Sequence, residues 1–437
     1  MQFKKLSEDK EIYNALQKEI KRQSEGMELI ASENYVSHAV LEALGSELTN
    51  KYSEGYPGKR YYGGNKFVDD IETLAIERAK QLFSAEHVNV QPLSGSPANA
   101  AVYFATLKPG DKVLGLKLDH GGHLSHGHPV NFSGLLYNFV QYTVDKNTGK
   151  INMDEVREIA LHEKPKMILA GFSAYSRNLE WQKFQDIADE IGAITFADIA
   201  HIAGLIAGKQ IDNPVPIFDI VTTTTHKTLR GPRGAIIMCK QKFAEAIDRS
   251  VFPGMQGGPH DNNTAAKAVA FAEALQPDFT EYSRQVITNA KALADELMKL
   301  NFTIISGGTD NHLMVVDLTN KGLNGRQAET LLDKVNISTS RSTIPFDQLP
   351  PYKPSGLRLG SPAVTTRGMK ETEMKQIAKW IAAAVDSRDD EEKLAQIREE
   401  VKQTCLRFPI PSVISEKNGF ANPSDDELNK LNNGFGL

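Results

Sequence analysis

At 437 residues the chain is longer than one ordinary core, so two domains with extensions are expected. Charged residues make up 24% and the net charge is only −5, which excludes the basic footprint of a nucleic-acid or anionic-membrane binder and leaves small molecules as the expected substrates. Cys239 and Cys405 give no disulfide framework, and a charged start without an apolar run of membrane length makes a cytoplasmic protein the expectation.

Along the chain, residues 9–24 and 37–48 read as amphipathic helices, separated by the polar Ala31-Ser32-Glu33-Asn34-Tyr35. The stretch from Lys51 to Gly64 is rich in glycine and tyrosine and has no periodicity to hold it in a core. An exposed loop is the plain expectation there, and a ligand shell the functional one. From about residue 66 to 240, helical segments alternate with short apolar runs beginning at Val88, Val113, Met167, Ile194, Phe218 and Ala235. This alternation predicts an α/β fold with a mostly parallel sheet, whose ligands gather beyond the carboxyl ends of the strands. Helices near 263–275 and 280–300 lead into a smaller α+β unit, with strands near 302–305, 313–317 and 356–359 among helices at 326–334, 370–385 and 390–406. The expected organisation is an N-terminal helical arm over 1–50, a large unit over 51–280, a small unit over 281–408 and an extended or poorly ordered tail over 409–437.

Several stretches carry residue types suited to chemistry. Ser94-Gly95-Ser96-Pro97-Ala98-Asn99 follows a strand and opens a helix, so its amides and hydroxyls converge where the dipole favours an anion. A capping serine before a helix-starting proline would look the same. Four imidazoles lie within the nine residues from His120 to His128, but the glycines among them would leave a loose ligand set, and no metal is expected. Asp198 ends an apolar run 29 residues before Lys227. Lys227 follows four strand-favouring threonines and precedes Gly231, Pro232 and Gly234, which force a turn. Crowding by His226, Arg230 and Arg233 is expected to favour its neutral amine, the form that Schiff-base chemistry needs. A basic loop after an edge strand is the plain alternative. Arg358, flanked by Gly356 and Gly360, either pairs with a core carboxylate or clamps a substrate's α-carboxylate.

Together these stretches resemble the serine hydroxymethyltransferases. The resemblance runs over about residues 28–407, through Glu28-Leu29-Ile30-Ala31-Ser32-Glu33-Asn34, the tyrosine and glycine loop, Ser94 to Asn99, Thr222 to Gly234, and Ser306-Gly307-Gly308-Thr309-Asp310-Asn311-His312. It implies the aspartate-aminotransferase fold (type I) of pyridoxal 5'-phosphate enzymes, with a mostly parallel seven-stranded sheet in the large domain and a smaller α+β C-terminal domain. It also implies a homodimer with shared active sites, or a tetramer built from such dimers. The cofactor is implied to be covalent on Lys227, with His123 stacked on its ring and Asp198 at its ring nitrogen. Ser173 and His201 match groups near its phenolic oxygen, His226 and Arg233 flank the imine, and Ser94, Gly95, Ser96, Thr224, Gly257, Gly258 and Tyr52 complete the binding shell. Residues matching Tyr52, Glu54, Tyr62, Gly257 and Gly258 reach into the neighbouring subunit's site.

The implied reaction moves the hydroxymethyl carbon of L-serine reversibly to tetrahydrofolate, giving glycine and 5,10-methylenetetrahydrofolate. Lys227, Glu54, His226, Asp198 and His123 match its catalytic groups. Ser32, Tyr52, Glu54, Tyr62 and Arg358 match groups around the amino acid, and Leu118, Gly122, Leu124 and Ser342 groups around the pterin. Two stretches depart from the pattern: Ser340-Arg341-Ser342-Thr343-Ile344-Pro345 puts a serine where relatives carry an amide, and His260-Asp261-Asn262 replaces Leu-Met-His. A folate-independent aldolase of β-hydroxy amino acids would share every cofactor residue. A catalytically silent binding protein is the alternative from another class.

Overall fold

Seven strands form the central sheet of the computed structural model, which describes residues 5–411: β1 His87–Asn89, β2 Lys112–Leu116, β3 Asn138–Tyr142, β4 Met167–Gly171, β5 Ile194–Asp198, β6 Ile220–Thr224 and β7 Ala235–Cys239. Their order across the sheet is β1-β7-β6-β5-β4-β2-β3. Pairings from β6 through β5, β4 and β2 to β3 are parallel, whereas β7 runs antiparallel to both its neighbours. Strands β4, β6 and β7 are buried at every position, because helices cover both faces of a parallel sheet and leave no solvent side. One face packs Phe184, Phe218 and Phe271, and the other Tyr103, Phe196 and Ile237.

Strand β3 has no counterpart among the apolar runs expected from sequence. It is a sheet edge, and Asn138-Phe139-Val140-Gln141-Tyr142 is buried only at Tyr142, so it lacks the continuous apolar run of its neighbours. Helix starts follow their caps. Asp9 accepts from Ile12 N at the start of α1, Lys10–Glu25. Helix α2, Gly95–Thr106, follows β1, and α3, Asp261–Ala274, packs against the helix Lys66–Phe83.

Strands β8 Thr303–Ile304, β9 Leu313–Asp317, β10 Ser340–Ser342 and β11 Gly356–Gly360 form an antiparallel sheet in the order β8-β9-β11-β10. Its core takes in part of the N-terminal arm. Met27 and Leu29 are fully buried in the cluster that holds Leu297, Leu332 and Trp380, and Met27 and Glu28 pair in parallel with Ile337 and Ser338. Helix α1 lies on α4, Glu391–Arg407, and Arg367 fastens the arm by donating to the Ser24, Gly26, Cys405 and Phe408 carbonyls. The next arm helix, His38–Leu44, packs on α3 instead. From residue 412 on, the expected tail lies outside the described residues. Among the described residues no helix is long and apolar enough to cross a membrane.

The glycine and tyrosine loop is exposed only in part. Tyr61 and Tyr62 are exposed, but the Arg60 side chain is buried between Asp69 and Glu72 at 2.8 and 2.7 Å, and Ser53 Oγ donates to Asp261 Oδ1 at 2.6 Å. Paired charges and short hydrogen bonds anchor a loop that has no hydrophobic periodicity.

Candidate active site

The carboxyl ends of the parallel strands open on one cavity of about 380 Å³. Lys227 reaches it from a turn closed at its base: Thr225 N donates to Gly234 O at 3.0 Å, Gly231 N to Thr225 O at 2.7 Å, and Thr225 Oγ1 to Pro232 O at 2.6 Å. Protein encloses the lysine, and the surface it keeps faces the cavity. Burial pushes its ammonium down to about 8; Asp198 opposes this, while the charges of Arg358 and Arg233 add to it. The cationic crowding thus differs from the one expected from sequence. Burial pushes His226 down to about 3, so it is neutral, and Arg230 turns away to lie over the Tyr282 ring at 4.5 Å.

Asp198 ends β5 directly opposite Thr222 of β6, which brings it to the same cavity. Its carboxylate accepts from Asn99 Nδ2 at 2.8 Å, Ala200 N at 3.0 Å and His126 Nε2 at 3.1 Å. Burial alone would raise this carboxyl, yet the His126 hydrogen bond, with the charge of Lys227, holds it well below the usual range. Thr222 Oγ1 in turn holds Asn99 Oδ1 at 2.7 Å. A side chain at position 171, the end of β4, would come within 2.5 Å of the Asp198 carbonyl, so only glycine lets the strands meet there.

His123 is fixed by Ser125, whose Oγ lies 2.7 Å from Nδ1 and whose backbone N donates to it at 3.1 Å. An acceptor Nδ1 puts the ring proton on Nε2. Burial lowers His123 to about 4, which keeps it neutral. The ligand atoms of His123, His126 and Asp198 lie within 4.8 Å of one another, a spacing a cation could use. The His126 to Asp198 hydrogen bond accounts for two members of the group.

Ser94 makes no side-chain cap, so its hydroxyl and the first amides of α2 are left for another acceptor, and a Cβ on Gly95 would approach Thr224 Cγ2 to 2.9 Å. Among the described residues, buried His226 Nδ1 also has no hydrogen-bond partner. A phosphorylated aldehyde fits this set: donors at a helix N-terminus, an amine for the carbonyl, and a carboxylate for a ring nitrogen.

Arg358, mid-strand in β11, donates from Nη1 to Ser173 O at 2.7 Å and from Nε to Ser340 Oγ at 3.3 Å, and lines the cavity beside Ser32, Ser173 and His201. Burial lowers it to about 10, still charged at neutral pH. His201 Nδ1 lies 3.1 Å from His312 Nε2, which ends the Ser306 to His312 stretch. Arg177 holds that stretch through Asp310 Oδ1 at 2.9 Å and Ser306 Oγ at 3.0 Å.

Other candidates lie apart from this lining. Tyr52, Glu54, Tyr62, Gly257 and Gly258 form a separate patch: Tyr52 and Tyr62 meet edge to face at 5.1 Å, and Tyr52 and Glu54 border the two glycines. Leu118, Gly122, Leu124 and Ser342 also stand outside the cavity lining. The His120 ring meets Phe346 at 4.6 Å, joining the Leu118–Leu124 segment to the one that follows Ser342, and Ser342 Oγ donates to Thr343 O at 3.0 Å. Sequence reasoning missed the roles of His126, Asn99 and His312. All three sit in stretches it singled out, but nothing in their spacing says which carboxylate or imidazole they meet.

An amine and a carboxylate from neighbouring strand ends that share one cavity with an uncapped helix start suit a pyridoxal-phosphate enzyme of fold type I. Within that class the family model described as serine hydroxymethyltransferase matches residues 6–381. The chain belongs to the serine hydroxymethyltransferase family, pyridoxal-phosphate-dependent transferases of serine, glycine and one-carbon metabolism.

Proposed function

We propose that the chain transfers the hydroxymethyl carbon of L-serine reversibly to tetrahydrofolate, giving glycine, 5,10-methylenetetrahydrofolate and water. The observation that carries this is the single cavity shared by the Lys227 amine, the Asp198 carboxylate and the Arg358 guanidinium. Lys227 would hold the cofactor through its amine, the group that the amine of serine would replace. Arg358 binds the serine carboxylate through its planar fork, with Ser32 beside it. Asp198, hydrogen-bonded to His126, would hold a proton on the cofactor's ring nitrogen, and the bound cofactor would supply an electron sink for the pair left at Cα. His123 would pack on the ring, Ser173 and His201 would hold its phenolic oxygen, His226 and Arg233 would flank Lys227, and Ser94, Gly95, Ser96 and Thr224 would hold the phosphate.

In a homodimer, the patch of Tyr52, Glu54, Tyr62, Gly257 and Gly258 completes the other subunit's site, where Glu54 moves a proton at the serine hydroxyl. Leu118, Gly122 and Leu124 hold the pterin, with Ser342 reaching it through water. The division at residues 51–280 and 281–408 makes the cavity a cleft between two domains, and the working compartment is the cytoplasm. Glycine formation from L-serine, followed with and without tetrahydrofolate, tests the reading: turnover should require the folate, and equal cleavage without it would make the chain a β-hydroxy amino acid aldolase.

A further inference from the structure

Lys267 on α3 is a buried cation that the proposed chemistry does not use; it is 1% exposed. Its ammonium donates to three backbone carbonyls, Val90 at 2.6 Å, Ala235 at 3.0 Å and Pro92 at 3.1 Å. An ammonium has three protons and these acceptors take all three. The carbonyls belong to two segments that meet the cavity from different directions. Val90 and Pro92 lie on the exit of β1, just before Ser94 starts the cradle, and Ala235 opens β7 just after the Lys227 turn closes at Gly234. Ala235 N also donates to Pro92 O at 3.2 Å, so the two segments touch where the ammonium sits.

Gly234 fits the same design. A Cβ there would come within 2.5 Å of Lys267 Cε and 2.8 Å of Asn263 Oδ1, so the base of the turn has room for the lysine only while it carries no side chain. Asn263, on the same helix, donates to Arg233 O at 2.8 Å. Helix α3 therefore grips both sides of the junction.

We propose that Lys267 is a positioning residue that sets the anion cradle at Ser94 to Ser96 against the Lys227 turn, so that one ligand's phosphate and aldehyde are met together. The inference rests on reading Ser94 to Ser96 as the phosphate site. Without the ammonium, the Val90 and Ala235 carbonyls lose the donor they share and Pro92 O keeps Ala235 N alone, so the β1 exit is held less firmly against the β7 entry. The amine of Lys227 stays on its own closed turn. The loss is therefore in phosphate recognition and not in the amine's chemistry.

The experiment compares pyridoxal phosphate, pyridoxal and inorganic phosphate binding to cofactor-free wild type, Lys267→Met and Gly234→Ala, by absorbance for the aldehydes and by titration calorimetry for phosphate. Lys267→Met should weaken pyridoxal phosphate and inorganic phosphate by at least ~10-fold, the scale on which removing one charge-assisted hydrogen bond acts, with pyridoxal unchanged within ~2-fold. Gly234→Ala, which displaces the ammonium without removing it, should show the same selectivity to a smaller extent, and it decides the matter if Lys267→Met does not fold. Pyridoxal weakening in parallel with pyridoxal phosphate, or phosphate binding that neither variant changes, overturns the inference. Wild type that binds pyridoxal phosphate no better than pyridoxal instead brings down the cradle reading, and this inference with it.

Discussion

Lys227 and Lys267 are both enclosed by protein, yet they end in opposite circumstances. Lys267 spends its three protons on three carbonyls, while Lys227 opens on a cavity that holds neutral imidazoles and the Arg358 charge. Burial pushes both ammonium groups down, to about 7 for Lys267, where Glu72 opposes it, and to about 8 for Lys227. The carbonyls around Lys267 favour the charged form, since a neutral amine keeps a lone pair and can serve only two of them. Burial alone therefore does not make a lysine reactive. Lys267 is an anchor because its acceptors are complete, and Lys227 is an available amine because its surroundings leave room for a carbonyl carbon.

Removing each lysine should separate these two roles. Lys227→Ala should lower serine turnover by on the order of 10³-fold or more, and borohydride treatment followed by mass spectrometry should find no cofactor joined to the chain. A covalent adduct surviving in that variant would move the chemistry to another amine.

The next effect is on stability and takes opposite signs. Lys267→Met should destabilise the cofactor-free protein by roughly 3 kcal/mol, because three buried carbonyls lose the ammonium and Ala235 N remains for Pro92 O. Lys227→Met should stabilise it at pH 7 by about 1–2 kcal/mol, because an ammonium held at a depressed value costs stability while it stays protonated. The sign follows from linkage: between about 8 and the ordinary 10.5, the unfolded chain binds the proton and the folded chain does not, so stability rises with pH in that window. Below about 8 the cost is present in full. Urea titrations of both variants at pH 7 and pH 10 check this, and a gain for Lys227→Met that does not shrink at the higher pH would mean that burial is not what lowers Lys227.

The smallest expected effect is kinetic. Capture of pyridoxal phosphate by cofactor-free protein should quicken about tenfold per pH unit up to about 8 and then level off as the amine becomes neutral. An amine at the ordinary lysine value would keep accelerating to above pH 10. Stopped-flow absorbance across that range distinguishes the two.

Much of this site could be read from residue order. Threonines before Lys227 and glycines after it specify a strand and then a turn, and Asp198 at the end of an apolar run predicts a second strand end beside it; the register Asp198 opposite Thr222 is what results. Other features could not be read that way. Arg230 is as close to Lys227 in sequence as many true neighbours, yet it stacks on Tyr282, because the turn that exposes the amine rotates the arginine outward. Met27 and Glu28 fall in the expected N-terminal arm, yet they pair with Ile337 and Ser338, and no local pattern encodes a pairing that distant.

The sequence by itself determined the alternation of strands and helices, the polar strand ends and the lysine turn, because period, β-branching and glycine act over a few residues. Tertiary structure alone decided which amine stayed available, which carboxylate met His126, and which cation took up the carbonyls of the β1 exit. Those outcomes depend on burial and on acceptors contributed by segments far apart in the chain, and local propensity carries no record of either.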